Sequence, residues 1–269
     1  MSDDLAGYLA RIGVAGPVAA DRATLARIAA AHPAAIPFEG IGGLLGTPVD
    51  LDPAALVAKL VHGGRGGFCY EHNLLLRAML EAIGFTVTAL GARVLWHNGP
   101  EVPSPLTHML LRVDLPEGPV IVDAGFGGNT LTGVLDLVAD RDQPTPHESF
   151  RLMRDGDYWV QWVAIGEEWR PTYRFTLEAQ HRPDQELGSW YMSTSPASHL
   201  VYGLTCARAL PGRRLALRNF DLAVHHVGGE TERRQLADAA AVCAVVATEF
   251  GIRLPDPAAL ARRLERGIA

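Results

Sequence analysis

The spacing of apolar residues changes at Gly84, and a chain whose helical period gives way to a strand period folds as a mixed architecture. Before that point Leu5, Tyr8, Leu9 and Ile12 stand at i, i+3, i+4 and i+7, the stripe of a helix burying one face. Asp21 is an N-cap for a second helix through Leu25, Ile28 and Ala29, which Pro33 is expected to stop. Asp52-Pro53 opens a third, with Leu56, Val57 and Leu60, which ends in the run Gly63-Gly64-Arg65-Gly66-Gly67. A fourth covers 70–83, with Leu75, Met79 and Ile83 on one stripe and Gly84 as its stop.

Beyond Gly84 the runs 85–96, 109–115 and 120–122 are short and β-prone, with Asn98-Gly99-Pro100 as a turn. Residues 152–153, 158–163 and 169–175 continue this region. In the tail, 191–193, 199–205, 214–218 and 225–226 read as short strands. A last helix is expected over 231–250, with Leu236, Ala239, Cys243, Val246 and Phe250 as its buried stripe and Gly251 as its end. Helices, then sheet, then a mixed tail make an α+β chain.

Composition excludes several function classes. Of 269 residues 48% are hydrophobic and 20% charged, which fits neither a disordered tail nor a collagen-like repeat. With 24 basic and 30 acidic side chains the net charge is −6, so no basic excess exists to neutralise phosphates and nucleic acid is not an expected partner. Lysine occurs once, at Lys59, so amine or Schiff-base catalysis would have to use it. The acidic opening, without a following apolar run, is not expected to be a signal peptide, and no membrane span is expected. Cys69, Cys206 and Cys243 lack paired spacing, which suits a reducing cytoplasm. The expectation is a cytoplasmic protein without a membrane partner, with a homo-oligomer left open.

The strongest local signal is Arg65-Gly66-Gly67-Phe68-Cys69-Tyr70-Glu71-His72-Asn73. A cysteine where a glycine-rich loop enters an apolar helix meets unpaired N–H groups and a positive helix end, which favour a thiolate. Its other reading is a buried structural cysteine, the role assigned to Cys206 and Cys243. A thiolate nucleophile needs a histidine, and that histidine an orienting carboxylate. His108 opens a buried-looking strand, and Asp123 closes the next run, Val120-Ile121-Val122. Adjacent antiparallel strands bring such a pair together. Taken singly, His108 reads as a structural histidine and Asp123 as a turn residue.

Over nearly its whole length the chain resembles the arylamine N-acetyltransferases. The resemblance lies in Asp4-Leu5-Ala6-Gly7-Tyr8-Leu9, Ile36-Pro37-Phe38-Glu39, Arg65-Gly66-Gly67-Phe68-Cys69, Thr107-His108, Val122-Asp123-Ala124-Gly125-Phe126-Gly127, and Ser189-Trp190-Tyr191 through Ser198-His199-Leu200. It is strongest to the actinobacterial members. The resemblance implies an N-terminal helical bundle (1–84), a central β-barrel (85–184) and a C-terminal mixed α/β lid (185–269), on a cysteine-protease-like core.

It also implies an acyl transfer from acetyl-CoA, or a short acyl-CoA, to an arylamine, hydrazine or arylhydroxylamine through an acyl-cysteine, with no metal. Cys69, His108 and Asp123 would be the triad, with Arg65 and Glu39 a supporting ion pair. Phe38, Tyr70 and Phe126 would form an aromatic slot, while Phe68 reads as core. Gly125 and Gly127 would admit CoA to the backbone, and Trp96 and Thr107 would border the cleft. Two departures concern substrate choice: Gly40-Ile41 replaces a frequent Asn-Leu, and Leu200 stands where relatives often carry phenylalanine, widening the acceptor pocket. Three other readings use the same residues. They are an ansamycin-type amide synthase, a papain- or transglutaminase-like thiol hydrolase, and a metal-binding protein using Cys69 with His72, or His225-His226.

Overall fold

A computed structural model describes residues 2–96 and 102–267. The N-terminal layer holds α1 (Ser2–Ile12), α2 (Arg22–Ala35), α3 (Ile41–Leu44), α4 (Pro53–Leu56) and α5 (Cys69–Ile83), with a π-helical stretch, Val57–His62, extending α4. Asp21 caps α2 by accepting the Thr24 N–H at 2.8 Å. The helix passes the expected stop at Pro33 and runs to Ala35. Pro33 falls in its last turn, where the missing N–H forfeits only the bond to Ala29. The turn expected at Asn98-Gly99-Pro100 lies outside the described residues.

A two-residue strand, β1 (Phe38–Glu39), precedes α3. After Gly84, in the left-handed conformation at φ 111°, come β2 (Thr86–Val94), β3 (Leu106–Leu115), β4 (Gly118–Val122), β5 (Leu135–Asp136), β6 (Asp142–Pro144), β7 (Ser149–Asp155), β8 (Tyr158–Ile165) and β9 (Glu168–Ala179). They form one antiparallel sheet in the order β5-β4-β3-β2-β9-β8-β7-β6, a nearly closed eight-stranded barrel. Gln143 on β6 spans the seam to β5. Its Oε1 accepts from Asp136 N at 2.7 Å and its Nε2 donates to Asp136 O at 3.0 Å. A side-chain amide thus stands where a neighbouring strand's peptide would be. Leu90, Leu110, Ile121, Phe150, Val163 and Tyr173 fill this core.

The C-terminal part holds α6 (Arg182–Thr194), α7 (His199–Tyr202), β10 (Thr205–Leu210), β11 (Arg213–Arg218), β12 (Asp221–His226), β13 (Thr231–Gln235), α8 (Ala239–Thr248) and α9 (Pro257–Glu265). Its sheet has the order β1-β10-β11-β12-β13, so Phe38 and Glu39 pair with Ala207 and Cys206. Ile41 and Leu44 share a core with Leu204, Leu215, Val242 and Phe250. The segment that lies against the Gly66-Gly67 loop is therefore held by the C-terminal sheet.

Four tail expectations are corrected. Residues 191–193 belong to α6, because Asp184 accepts the His181 N–H at 3.0 Å and closes its first turn. The buried Gln185, Gly188, Ser189 and Met192 also keep helical spacing. Residues 199–205 are α7 followed by the start of β10. The helix expected over 231–250 splits: a turn with Gly228 at φ 67° folds the polar β13 back onto β12, and α8 starts at its cap Asp238. Cys243 is half-buried rather than central to the stripe, and its thiol points at the Pro257 carbonyl of the unanticipated α9.

Candidate active site

Cys69 is the first residue of α5, preceded by Phe68 in extended conformation. Glu71 reaches back to accept the Phe68 N–H at 3.2 Å and is held by Lys59 at 2.5 Å. Burial pushes the Glu71 carboxyl up, with Lys59 opposing. The loop lies against residues 37–39 with no space to spare: a Cβ on Gly66 would sit 2.0 Å from the Pro37 carbonyl. Arg65 grips both Glu39 oxygens, at 2.7 and 2.9 Å, while Glu39 also accepts from Gly66 N and Ile41 N.

Opposite Cys69 stand β3 and β4. Their ladder pairs Leu111 with Val122, so one further step sets Asp123 across from Leu110 and His108 on the same face. The β2–β3 ladder jumps from Ala92 opposite His108 to Arg93 opposite Leu106. Thr107 is the extra residue of a β-bulge, and its freed carbonyl accepts from Cys69 Sγ at 3.7 Å. His108 Nε2 lies 2.7 Å from Asp123 Oδ2. With Nε2–H donated to the carboxylate, Nδ1 remains for the sulfur side.

Asn73, one turn after Cys69 on α5, ties the halves together. Its Nδ2 donates to Met109 O at 2.7 Å and to Asp123 Oδ1 at 3.0 Å, and its Oδ1 accepts from Ala124 N at 3.1 Å. Gly125 N gives Asp123 Oδ1 a further bond at 2.8 Å. Burial works against the His108 imidazolium, but Asp123, with Cys69 adding to it, outweighs burial and the His108 pKa is pushed up to about 10. Burial would raise the Asp123 carboxyl, yet His108, Asn73 and Gly125 hold it below its ordinary value.

The other expected site residues separate into two groups. Phe126 sets its edge on His108, centroids 5.1 Å apart, and Phe38 lies beside Gly127. Gly125 presses on Cys69 itself: a Cβ there would lie 2.7 Å from Cys69 Cα. Trp96 packs on the barrel core, with its backbone N–H donated to Thr172 O. Tyr70 is not a slot aromatic. It is fully buried, with its hydroxyl where a Cβ on Gly188 would be. Leu200 does not widen a pocket: it is buried at 2% exposure and fills the space a Cβ on Gly40 would need, at 2.8 Å. Gly40 and Leu200, the two sites of sequence departure, thus pack directly on each other.

Sequence reasoning missed Asn73 and Tyr173. The spacing of Asn73, four residues after Cys69 on one helical face, is a signal that was available. Tyr173 arrives from β9, with its ring centroid 4.9 Å from that of His108 and its hydroxyl on Gln161 at 2.8 Å, and nothing local announces it. Burial, then the Asp123 charge, keeps this phenol protonated. His72 turns away from Cys69 toward His32 and Pro37. Among the described residues no group of three or more His, Cys, Asp or Glu is placed to hold a metal ion. No helix among them is long and apolar enough to cross a membrane.

A helical layer carrying a cysteine at a helix head, set against an antiparallel barrel carrying histidine and aspartate, is the cysteine-protease-like class of α+β fold. The family model described as N-acetyltransferase matches residues 21–259. An arylamine N-acetyltransferase of Mycolicibacterium smegmatis is 47% identical over 260 residues, 95% of this chain and 94% of that protein. That of Escherichia coli (strain K12) is 38% identical over 257 residues, 95% and 91% of the two chains. The solved Mycobacterium marinum arylamine N-acetyltransferase in complex with CoA superposes with a TM-score of 0.94 at 39% identity, covering 98% of this chain and all of that one. The chain belongs to the arylamine N-acetyltransferase family, and it is an acyltransferase.

Proposed function

We propose that the protein moves an acetyl group, or a short acyl group, from coenzyme A to the nitrogen of an arylamine, hydrazine or arylhydroxylamine in two half-reactions through acyl-Cys69. The observation that carries the reading is His108, bound to Asp123 through Nε2 with Nδ1 left for the cysteine at the head of α5. The CoA bound by the M. marinum relative and the arylamine in the relatives' names supply the substrate classes. By this reading residues 1–84 bring the nucleophile, 85–184 the histidine and aspartate, and 185–269 the cover. The three cysteines are free, which suits a cytoplasmic setting.

In the first half-reaction the Cys69 thiolate attacks the thioester carbonyl. The oxyanion is received at the Cys69 N–H, which the helix leaves unpaired at its first position. The carbon–sulfur bond to CoA breaks, and the CoA thiolate takes the proton from His108 Nδ1. In the second, the amine attacks the acyl-cysteine and gives its proton to His108 Nδ1. The acyl–Sγ bond breaks, and Cys69 returns as a thiolate beside the imidazolium. Asp123, held by Asn73 and Gly125, fixes the ring through both steps. Thr107, Phe38, Phe126, Trp96, Gly125 and Gly127 would border the channel.

A pocket widened at Leu200 would suit the amide-synthase alternative, but that side chain is packed on Gly40. The test is exchange of labelled CoA into acetyl-CoA with no amine present. Exchange in the wild type and none in Cys69→Ala supports the double displacement. Exchange that appears only with an amine points to a ternary complex and defeats it.

A further inference from the structure

Beneath the site runs a hydrogen-bond chain that the acyl transfer does not itself use. The Tyr8 hydroxyl on α1 lies 2.7 Å from His32 Nδ1 on α2, and His32 Nε2 lies 2.9 Å from His72 Nδ1 on α5. His72 Nε2 then meets the Pro37 carbonyl at 3.1 Å. All three side chains are fully buried. A carbonyl only accepts, so His72 Nε2 carries a proton. Burial, with Lys59 adding and the Pro37 and Gly67 carbonyls and Asp123 opposing, pushes the His72 pKa down to about 4. Burial, His72 and Arg11 hold His32 well below its ordinary value. A neutral ring protonated at Nε2 has a bare Nδ1, so His32 Nε2 donates to His72, and Tyr8 to His32. The chain has one direction, from Tyr8 to Pro37.

Its end point touches the site on two sides. The Pro37 carbonyl also receives Gly67 N at 3.4 Å and lies where Gly66 allows no Cβ, while Glu39 N donates to Gly67 O at 2.8 Å. On the other side the His72 ring lies parallel to Phe38, planes 6° apart and centroids 6.4 Å apart. Phe38 in turn faces Gly127, where an added Cβ would be 3.7 Å from the ring. One imidazole therefore holds both the strand under the nucleophile loop and the aromatic residue that meets the aspartate loop.

We infer that His72 is a positioning residue for the acyl transfer: its Nε2–H holds Pro37 and its ring holds Phe38, which fixes the spacing between the Cys69 loop and the Asp123 loop. The inference rests on Cys69 being the acylated group. Two measurements on the whole protein test it. Nitrogen-15 imidazole spectra should show both His32 and His72 as neutral Nε2–H tautomers from about pH 5.5 to pH 8. The rate of Cys69 acylation by acetyl-CoA, followed by intact mass, should fall about 10- to 100-fold in His72→Leu. It should recover at least about threefold over His72→Leu in His72→Gln, whose amide can accept from His32 and donate to Pro37 but leaves no ring against Phe38. Rates are compared at a temperature where melting curves show both variants folded.

A wild-type rate in His72→Leu, a His72→Gln as slow as His72→Leu, or either ring found cationic or protonated at Nδ1 would overturn the inference. Should His72→Leu not fold, the tautomers and the His72→Gln rate decide. A wild type that takes no acyl group defeats the acyl-cysteine reading, which the other outcomes leave standing.

Discussion

Gly125→Ala is the sharpest mechanical probe of the site, because its effect comes from one contact. Gly125 has an ordinary negative φ, so alanine brings no backbone strain. The added Cβ would lie 2.7 Å from Cys69 Cα, 3.0 Å from Cys69 O and 3.0 Å from Asn73 Nδ2. Ordinary contact begins at 3.4 Å, so the aspartate loop and the head of α5 must part by about 0.7 Å. Both neighbours that resist are backbone atoms of Cys69. Misplacing a reacting group by about 1 Å costs on the order of 100-fold in rate. Cys69 acylation should therefore slow about 30- to 100-fold, timed by intact mass after mixing with acetyl-CoA. The melting temperature should fall only modestly, because overpacking costs about 1–3 kcal/mol. Acylation within about threefold of wild type would refute the claim that the spacing of these two loops sets the rate.

Three further outcomes follow from the same geometry. Asn73→Ala removes the three bonds by which its side chain links α5 to β3 and the aspartate loop, and acyl transfer should drop at least about 100-fold; a smaller loss in assay with aniline would show that Asp123 keeps its place without it. His108 is raised, so the stability it confers is full below its unfolded pKa of about 6.5 and is lost as pH rises toward about 10. The stability difference between wild type and His108→Gln should therefore shrink across that window in denaturant titrations, and a difference that grows there contradicts the ion pair. Gln143→Leu leaves Asp136 N unpaired at the barrel seam, while Asp136 O keeps the Val138 N–H at 2.8 Å, and should cost about 1–3 kcal/mol in thermal melts; a loss below about 0.5 kcal/mol would mean the seam closes by other contacts.

The legible part of the fold was the part whose signals are local. The stripe of α1, the cap of α2 and the glycines that bracket α5 each name a boundary by their own chemistry. Cys69 was legible for that reason. Strand pairing could bring His108 and Asp123 together, but singly they read as a structural histidine and a turn residue until the family resemblance joined them to Cys69. The tail was less legible because its elements are decided by contacts far away in sequence. Residues 191–193 read as a strand until Gly188 is seen to make room for the Tyr70 hydroxyl on the helix that carries them. The run Thr231–Gln235 is polar on every side and becomes a strand only by pairing with β12. The same limit applies to the pocket: Leu200 could not be placed without knowing that Gly40 lies under it.

The central claim is that Cys69 carries the acyl group, and intact-protein mass tests it most directly. Wild type and Cys69→Ala would each be mixed with acetyl-CoA in the absence of amine, then given an aniline or a hydrazine. An acetyl adduct on the wild type alone, discharged when the amine arrives, is the predicted result. No adduct from any short acyl-CoA, with the Cys69 thiol still open to alkylation, would contradict it.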